Sequence, residues 1–404
     1  MRTSKHTLVL IASALLLAAC DEVREVGDSE GEVIEWPGEP STPDDPAHEP
    51  DSESPADDAE ACSPAPEAFA YSLCSCEGLT GLGNLSVRGD GVTEAFVGIN
   101  GHSELAGAIE IDGSGIFYDG LTVAASLDAG GHVASAGRVA VFGEASIGGN
   151  LDVGDDLNGY GVIDVGGALR VDGVESVLGS LDIEARGPFQ APPQPCGCDE
   201  PLVDVAAEVT LASQSNHNAA IGLPQTLDEL GGDTFSLPSG RYYLSDPRTL
   251  GASSFEIAGA VSLYVDGSLE SLGHTDIELA EGATLDLYIS GSLRSVGNLS
   301  IGDEAHASSV RIYVGGSDSV TVAAGNQTFY GSVYAPQAYL ETYGNTTVVG
   351  GLFVRGLLGA GNLEVVGVAP RDFAKDDCPP PTDDCVADPD LGGCGTPPAH
   401  VPEG

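Results

Sequence analysis

Two cysteine pairs at the same spacing, Cys74-Ser-Cys76 and Cys196-Gly-Cys198, are the densest cluster of reactive side chains in this 404-residue chain. Thiols placed so can cross-link when oxidised, or supply four ligands to zinc when ionised. Zinc sites commonly use the wider C-x-x-C spacing. Cys62, Cys378, Cys385 and Cys394 bring the number to eight once Cys20 is set aside. An even number in an exported chain, which the N-terminus argues for below, favours disulfides and leaves their connectivity open. Other chemistry is sparse. His48, His102, His132, His217, His274, His306 and His400 are scattered, and H-E-x-x-H, G-x-S-x-G and Walker patterns are absent. Arg241, Arg294, Arg311 and Arg355 stand near repeated segments without an acidic cluster beside them. Glu110-x-Asp112-x-Ser114 is a calcium-loop fragment lacking the distal glutamate. No metal site or cofactor is expected, beyond a structural divalent cation on so acidic a chain. Arg88-Gly-Asp90 matches an integrin-binding tripeptide, and chance explains it in a Gly- and Asp-rich chain.

A second group of side chains recurs. Tyr243, Tyr264, Tyr288, Tyr313, Tyr334 and Phe353 follow one another at steps of 21, 24, 25, 21 and 19 residues. The segments around them nearly repeat, as in Val261-Ser-Leu-Tyr-Val-Asp-Gly267, Thr284-Leu-Asp-Leu-Tyr-Ile-Ser-Gly291 and Val310-Arg-Ile-Tyr-Val-Gly-Gly316. Aliphatic residues flank each aromatic, so alternation along a strand turns aliphatics to one side and aromatics to the other. Self-similarity at this period means a solenoid. The expected fold is all-β, a right-handed parallel β-helix with one short helical insert and a disordered acidic N-terminal tether. Its aliphatics fill a shared core, and its aromatics form an external ladder on which a sugar could stack.

These elements sit in a chain of formal charge −48, with 62 acidic and 14 basic residues. Such a surface repels nucleic acid and anionic lipid headgroups. Fifty-six glycines suit many bends. Arg2 and Lys5 precede the apolar run Leu8 to Leu17, too short to span a bilayer comfortably. Residues 21–61 carry 16 Asp or Glu against the single Arg24, with prolines at 37, 40, 43, 46, 50 and 55, the composition of a disordered tether.

From about Leu79 to Ala185 shorter alternations recur at a ragged period of about 12 to 18 residues, as in Leu151-Asp-Val153 and Leu181-Asp-Ile183. They read as a less regular part of the same stack. Gly187-Pro-Phe-Gln-Ala-Pro-Pro-Gln-Pro195 is long enough to bring the second cysteine pair back to the first. Leu202, Val205, Ala206, Val209 and Ala212 recur at helical spacing, predicting a short amphipathic helix on the outside of the coil. Gly-Asn turns at 297–298, 325–326, 344–345 and 361–362 suggest an internal asparagine ladder. The chain therefore divides into a leader (1–19), an acidic linker (20–61), a first block bracketed by the cysteine pairs (62–198), a helical insert and connector (199–253), a second regular block (254–370) and a Cys/Pro/Asp-rich tail (371–404). The tail's cysteines are expected to close a cap or pin the tail to the last coil.

Leu17-Ala-Ala-Cys20 resembles the lipobox of bacterial lipoproteins. The resemblance implies cleavage before Cys20 and its lipidation, hence a membrane-held protein of the bacterial cell envelope. Outer membrane or cell surface is expected in preference to the periplasmic face of the inner membrane. The first block is similar in texture to bactofilins and other polymer-forming bacterial β-helices. The order from Asp204 to Pro370, with Asn216-His-Asn218, Leu237-Pro-Ser-Gly-Arg-Tyr-Tyr243, Leu263-Tyr-Val-Asp-Gly267 and Gly331-Ser-Val-Tyr-Ala-Pro336, resembles a myxobacterial family of secreted or lipid-anchored proteins of unknown activity. That family tends to carry cysteine where Ser239 stands. No catalytic residue comes with the resemblance. The leading expectation is a non-enzymatic display or adhesion module, with polysaccharide or other surface proteins as partners and no nucleic acid. The alternatives are a carbohydrate-active β-helix enzyme and a self-polymerising envelope scaffold.

Overall fold

The computed structural model describes residues 69 and 71–368, apart from 82, 92–93, 200–202, 227–233, 250–251, 272–273, 296–297, 319 and 323–325. The leader, tether, Cys20, Cys62, Cys378, Cys385, Cys394 and the tail lie outside the described residues.

The fold is a parallel β-solenoid of about 13 turns. Every ladder pairing within it is parallel, and each coil contributes strands to three faces. Aliphatic residues from successive coils stack into one core, including Leu121, Val139, Leu157, Ile163, Leu263, Leu287 and Ile312, each at most 2% exposed. Burying one such side chain contributes about 1.5–3 kcal/mol, so each coil is stabilised chiefly by the coils above and below it.

The first block is more regular than its sequence suggests. Val97, Gly115, Val133, Leu151 and Leu169 pair in register at steps of 18 residues, and Ser103, Leu121, Val139, Leu157 and Glu175 do the same on the next face. The ragged period arises from a longer first coil, where Leu73 pairs with Val97, and from inward positions filled by Gly115, Ser103 or Ala145 that hide the aliphatic signal.

The coils are not stacked in chain order. The chain enters at Leu73–Ser75 and builds outward to Ser180–Arg186. It then returns along the outside and starts again at the opposite end with Thr234–Leu237 and Gly240–Ser245. From there it builds back towards its own beginning. Leu352–Gly359 pairs with Leu73–Ser75 and Leu79–Gly81, and Leu363–Gly367 pairs with Leu85–Gly89. The last coil of the second block is therefore interior to the stack, not an end to which a tail could add a cap. Among the described residues two α-helices, α1 (Val205–Gln214) and α2 (Asn218–Ile221), and a 3-10 turn at Glu304–Ser309 interrupt the β-structure.

Candidate functional site

The tyrosine column faces away from the aliphatic core, as alternation requires, and continues through the block junction. Tyr243, Tyr264, Tyr288, Tyr313, Tyr334, Phe353, Cys74 and Gly98 are in register, coil upon coil. Tyr264 stacks on Tyr288 at 4.8 Å and Tyr288 on Tyr313 at 4.7 Å. The expected external ladder is nevertheless buried: Tyr243, Tyr264, Tyr288, Tyr313, Tyr334 and Phe353 are all at most 7% exposed. Helix α1 lies over them with Val205, Val209 and Ala212 inward, its N-terminus capped by the Asp204 carboxylate accepting from the Ala207 N–H. Phe69 covers Tyr313 and Tyr334, at 6.4 Å from each ring. A sugar has no ring face there on which to stack.

The return segment from Gly187 makes this cover continuous. Its ten residues to Cys196 pass about five coils, roughly 24 Å at the inter-strand spacing. Phe189 lies against Gly154, and Pro195 lies over Gly98, where a Cβ would come within 2.9 Å of the proline Cβ. Gly315 likewise admits Val205 at the start of α1, again at 2.9 Å. Two disulfides then clamp the strap, Cys74–Cys196 and Cys76–Cys198, so the four thiols that could have formed a zinc site are consumed. Asn100 holds the strap as a strand would. Its amide donates to the Cys196 carbonyl at 2.9 Å, and its Oδ1 accepts from the Cys196 N–H at 3.0 Å.

Beneath the cover sits an ion pair with little access to water. The Arg311 Nε and NH2 groups donate to both Asp286 oxygens at 2.6 and 2.7 Å. Burial pushes the Asp286 carboxyl up from its ordinary value, against the pull of Arg311. Burial likewise raises the phenols of Tyr288 and Tyr313, which stay protonated. The pair and its tyrosines form a packed layer beneath the helix.

The exposed polar chemistry lies on another face, where the two blocks meet. A groove of about 350 Å³ is lined by Arg88, Glu110, Ser86, Thr347, Glu364 and the side chains of a corner ladder. Arg88 bridges Glu110 at 3.3 Å and Glu364 at 3.6 Å, and Glu110 holds the guanidinium above its ordinary pKa. Arg88 and Gly89 thus belong to a paired strand, not to a free Arg-Gly-Asp loop. In the ladder the Asn362 amide donates to Asn345 Oδ1, Asn362 Oδ1 accepts from the Asn84 N–H, and Asn84 Oδ1 accepts from the Ala108 N–H. Of the four expected turns, those at Asn345 and Asn362 thus form a ladder, and it sits at an exposed corner, not inside, because its side-chain oxygens accept from N–H groups of the next coil. Asn84 joins it from the first block, a continuation visible in sequence only as one more Gly-Asn pair.

Of the other sequence candidates, Arg355 donates to Glu77 at 2.8 Å across the junction, and Arg294 pairs with Glu270 at 3.4 Å. Arg241 lies over the Tyr264 ring at 5.1 Å. Phe142 and Tyr160 form a half-exposed stacked pair 4.7 Å apart that repeat reading missed; their 18-residue step was the available signal. Among the described residues no group of three or more His, Cys, Asp or Glu is placed to hold a metal ion, and no helix is long and apolar enough to cross a membrane.

Residues 198–366 match the model of a domain of unknown function, DUF7305. No curated protein and no solved structure matches the chain. The matched stretch begins at the second cysteine of the strap and ends within Leu363–Gly367, the last strand of the second block.

Proposed function

We propose that this protein is held in the bacterial envelope by a lipid on Cys20 and uses its solenoid as a rigid display or adhesion module at the outer membrane or cell surface. The observation that carries the reading is the clamped outer face. A helix, a strap and two disulfides cover the column from Tyr243 to Phe353, stiffening the solenoid instead of opening a cleft there. A carbohydrate-active enzyme would need those rings free. The exposed groove at the block junction, with Arg88 shared between two carboxylates and with amides and hydroxyls beside it, offers adhesion a polar contact suited to polysaccharide. Metabolic labelling with palmitate and protease shaving of intact cells test the proposal. Label lost in Cys20→Ala, together with removal of the folded body by shaving, is the expected result. Absence of label sinks the anchor, and complete protection from protease overturns display at the surface.

A further inference from the structure

We infer that the open end of the solenoid, the coil 169–186, is a docking surface for the same end of a second copy, and that the chain forms a twofold dimer there. Glu175–Val177 and Ser180–Arg186 each pair with the coil before them, and among the described residues nothing pairs their outer edges. The core is unfinished at this end. Val153, Leu157 and Ile163 are at most 1% exposed, whereas Val171, Val177, Leu181 and Ile183 one coil later are only partly buried. Val174 and Leu178 stand 66% and 69% exposed beside them. A row of unpaired N–H and C=O groups over an open apolar core is a template for another strand.

The opposite end does not offer that strand. Its edge at Gly240–Ser245 is occupied by side chains and a loop acting as a surrogate coil. His217 N–H donates to the Arg241 carbonyl and His217 Nδ1 accepts from the Arg241 N–H. The Asn218 amide donates to the Tyr243 carbonyl, its Oδ1 accepts from the Tyr243 N–H, and the Gln225 carbonyl accepts from Ser245. Head-to-tail addition, which would propagate as a filament, is thereby obstructed. The chain's own segments outside the structure are also poor occupants. They join the solenoid at Leu73 and after Gly367, about five coils or 24 Å from this end. They are rich in proline, which cannot donate to a ladder. A like end fits. Twofold pairing of Ser180–Arg186 that sets Ile183 against Ala185 keeps Leu181 and Ile183 facing a shared core. It also places Asp182 opposite Arg186 of the other copy, twice over, so that Arg186, which bridges Glu175 within its own chain, sits between two carboxylates, and it sets the two Glu184 side chains outward at the axis. Two copies close the assembly along this face, since the Gly240–Ser245 edge at the other end of each is already occupied.

Sedimentation equilibrium on the full chain carrying Cys20→Ala, so that no acyl chain drives association, tests this at about 0.15 M salt to screen the net charge. An interface of this small size predicts a dissociation constant in the micromolar range. A monomer–dimer equilibrium without larger species is expected, weakened at least about tenfold by the double variant V174K/L178K, whose positions are too exposed to disturb the fold. In hydrogen exchange the amides of 175–186 should slow only as concentration rises. Monomer throughout, growth beyond two, or a dimer indifferent to V174K/L178K each overturns the inference. Slow exchange of these amides in the dilute monomer does so as well, since another part of the chain would then cover the end.

Discussion

Asn218→Ala tests whether the side-chain cap is what ends the second block. Asn218 is 3% exposed, and its amide serves both backbone groups of Tyr243, donating at 2.6 Å and accepting at 2.9 Å. Alanine strands a buried N–H and a buried C=O at once. Each unpaired group costs about 1–3 kcal/mol, so the coil Gly240–Ser245 should lose about 2–6 kcal/mol of local stability. Global denaturation is a poor readout, because long repeat arrays need not unfold in one step. Residue-resolved hydrogen exchange reads the coil directly. At 1.4 kcal/mol per factor of ten, about 2 kcal/mol raises exchange at Tyr243 and its neighbours about 30-fold, while amides of the 18-residue coils stay unchanged. Asn218→Asp should fall between, since the carboxylate still accepts from the Tyr243 N–H but faces the carbonyl without a donor. If Tyr243 in Asn218→Ala stays as protected as in the wild type, the surrogate-strand reasoning fails.

Three further outcomes follow from the strap and the junction. Cys76→Ser with Cys198→Ser leaves the buried Cys74–Cys196 bond holding the strap and should shift melting only slightly; replacing all four cysteines should cost about 2–5 kcal/mol and uncover the aromatic column to tyrosine quenchers. Unchanged quenching in the four-cysteine variant would show that α1 alone holds the cover. Gly98→Val should push Pro195 off its coil and raise strap proteolysis; unchanged proteolysis would show that the strap does not depend on this close approach. Glu77 takes hydrogen bonds from the Tyr339 hydroxyl and from Arg355, and these hold its carboxyl below the ordinary value of 4.5 against a desolvation that raises it. Because the folded value is lowered, the stabilisation is present above about pH 4.5 and is lost as pH falls through the folded value. Glu77 is half-exposed, so Glu77→Gln should cost under about 1 kcal/mol at pH 7, and progressively less as pH falls through the folded value; a difference in melting temperature that ignores pH would count against the junction role.

The solenoid was legible because its core residues alternate with outward ones at a repeating step, and alternation specifies which side each faces. Tyr264 and Leu263 could thus be assigned to opposite sides of one strand. What lies on the outward side was not legible. Burial of the tyrosines depends on α1 and the strap, which meet the column only through a chain reversal that no local spacing encodes. The helix itself was visible in Val205, Val209 and Ala212, as was the reach of the proline-rich segment to the first cysteine pair. The role of Asn216-His217-Asn218 was hidden, since side chains that imitate a strand have no periodicity of their own. The 18-residue regularity escaped because Gly115 and Ser103 occupy core positions that coil stacking tolerates.

Exposed edges also explain why the chain is threaded in this order. The stretch matching the domain of unknown function stops within Leu363–Gly367, whose outer edge in a free-standing block would be an unpaired parallel ladder. In this chain that edge is taken by the first coil. Leu363 N–H donates to the Asn84 carbonyl, Leu352 N–H to the Ser72 carbonyl and Cys76 N–H to the Val354 carbonyl. Glu77 with Arg355, Arg88 with Glu364 and Asn84 with Asn362 fasten the corners. The disulfides then tie the strap that leads into the second block to the same coil, so the two blocks cannot drift apart or exchange with another copy without breaking them. Covering one edge moves the problem five coils outward, to Glu175–Val177 and Ser180–Arg186. A dimer through that coil would solve it between two chains by the means this chain already uses within itself, strand edge against strand edge around a continuous core.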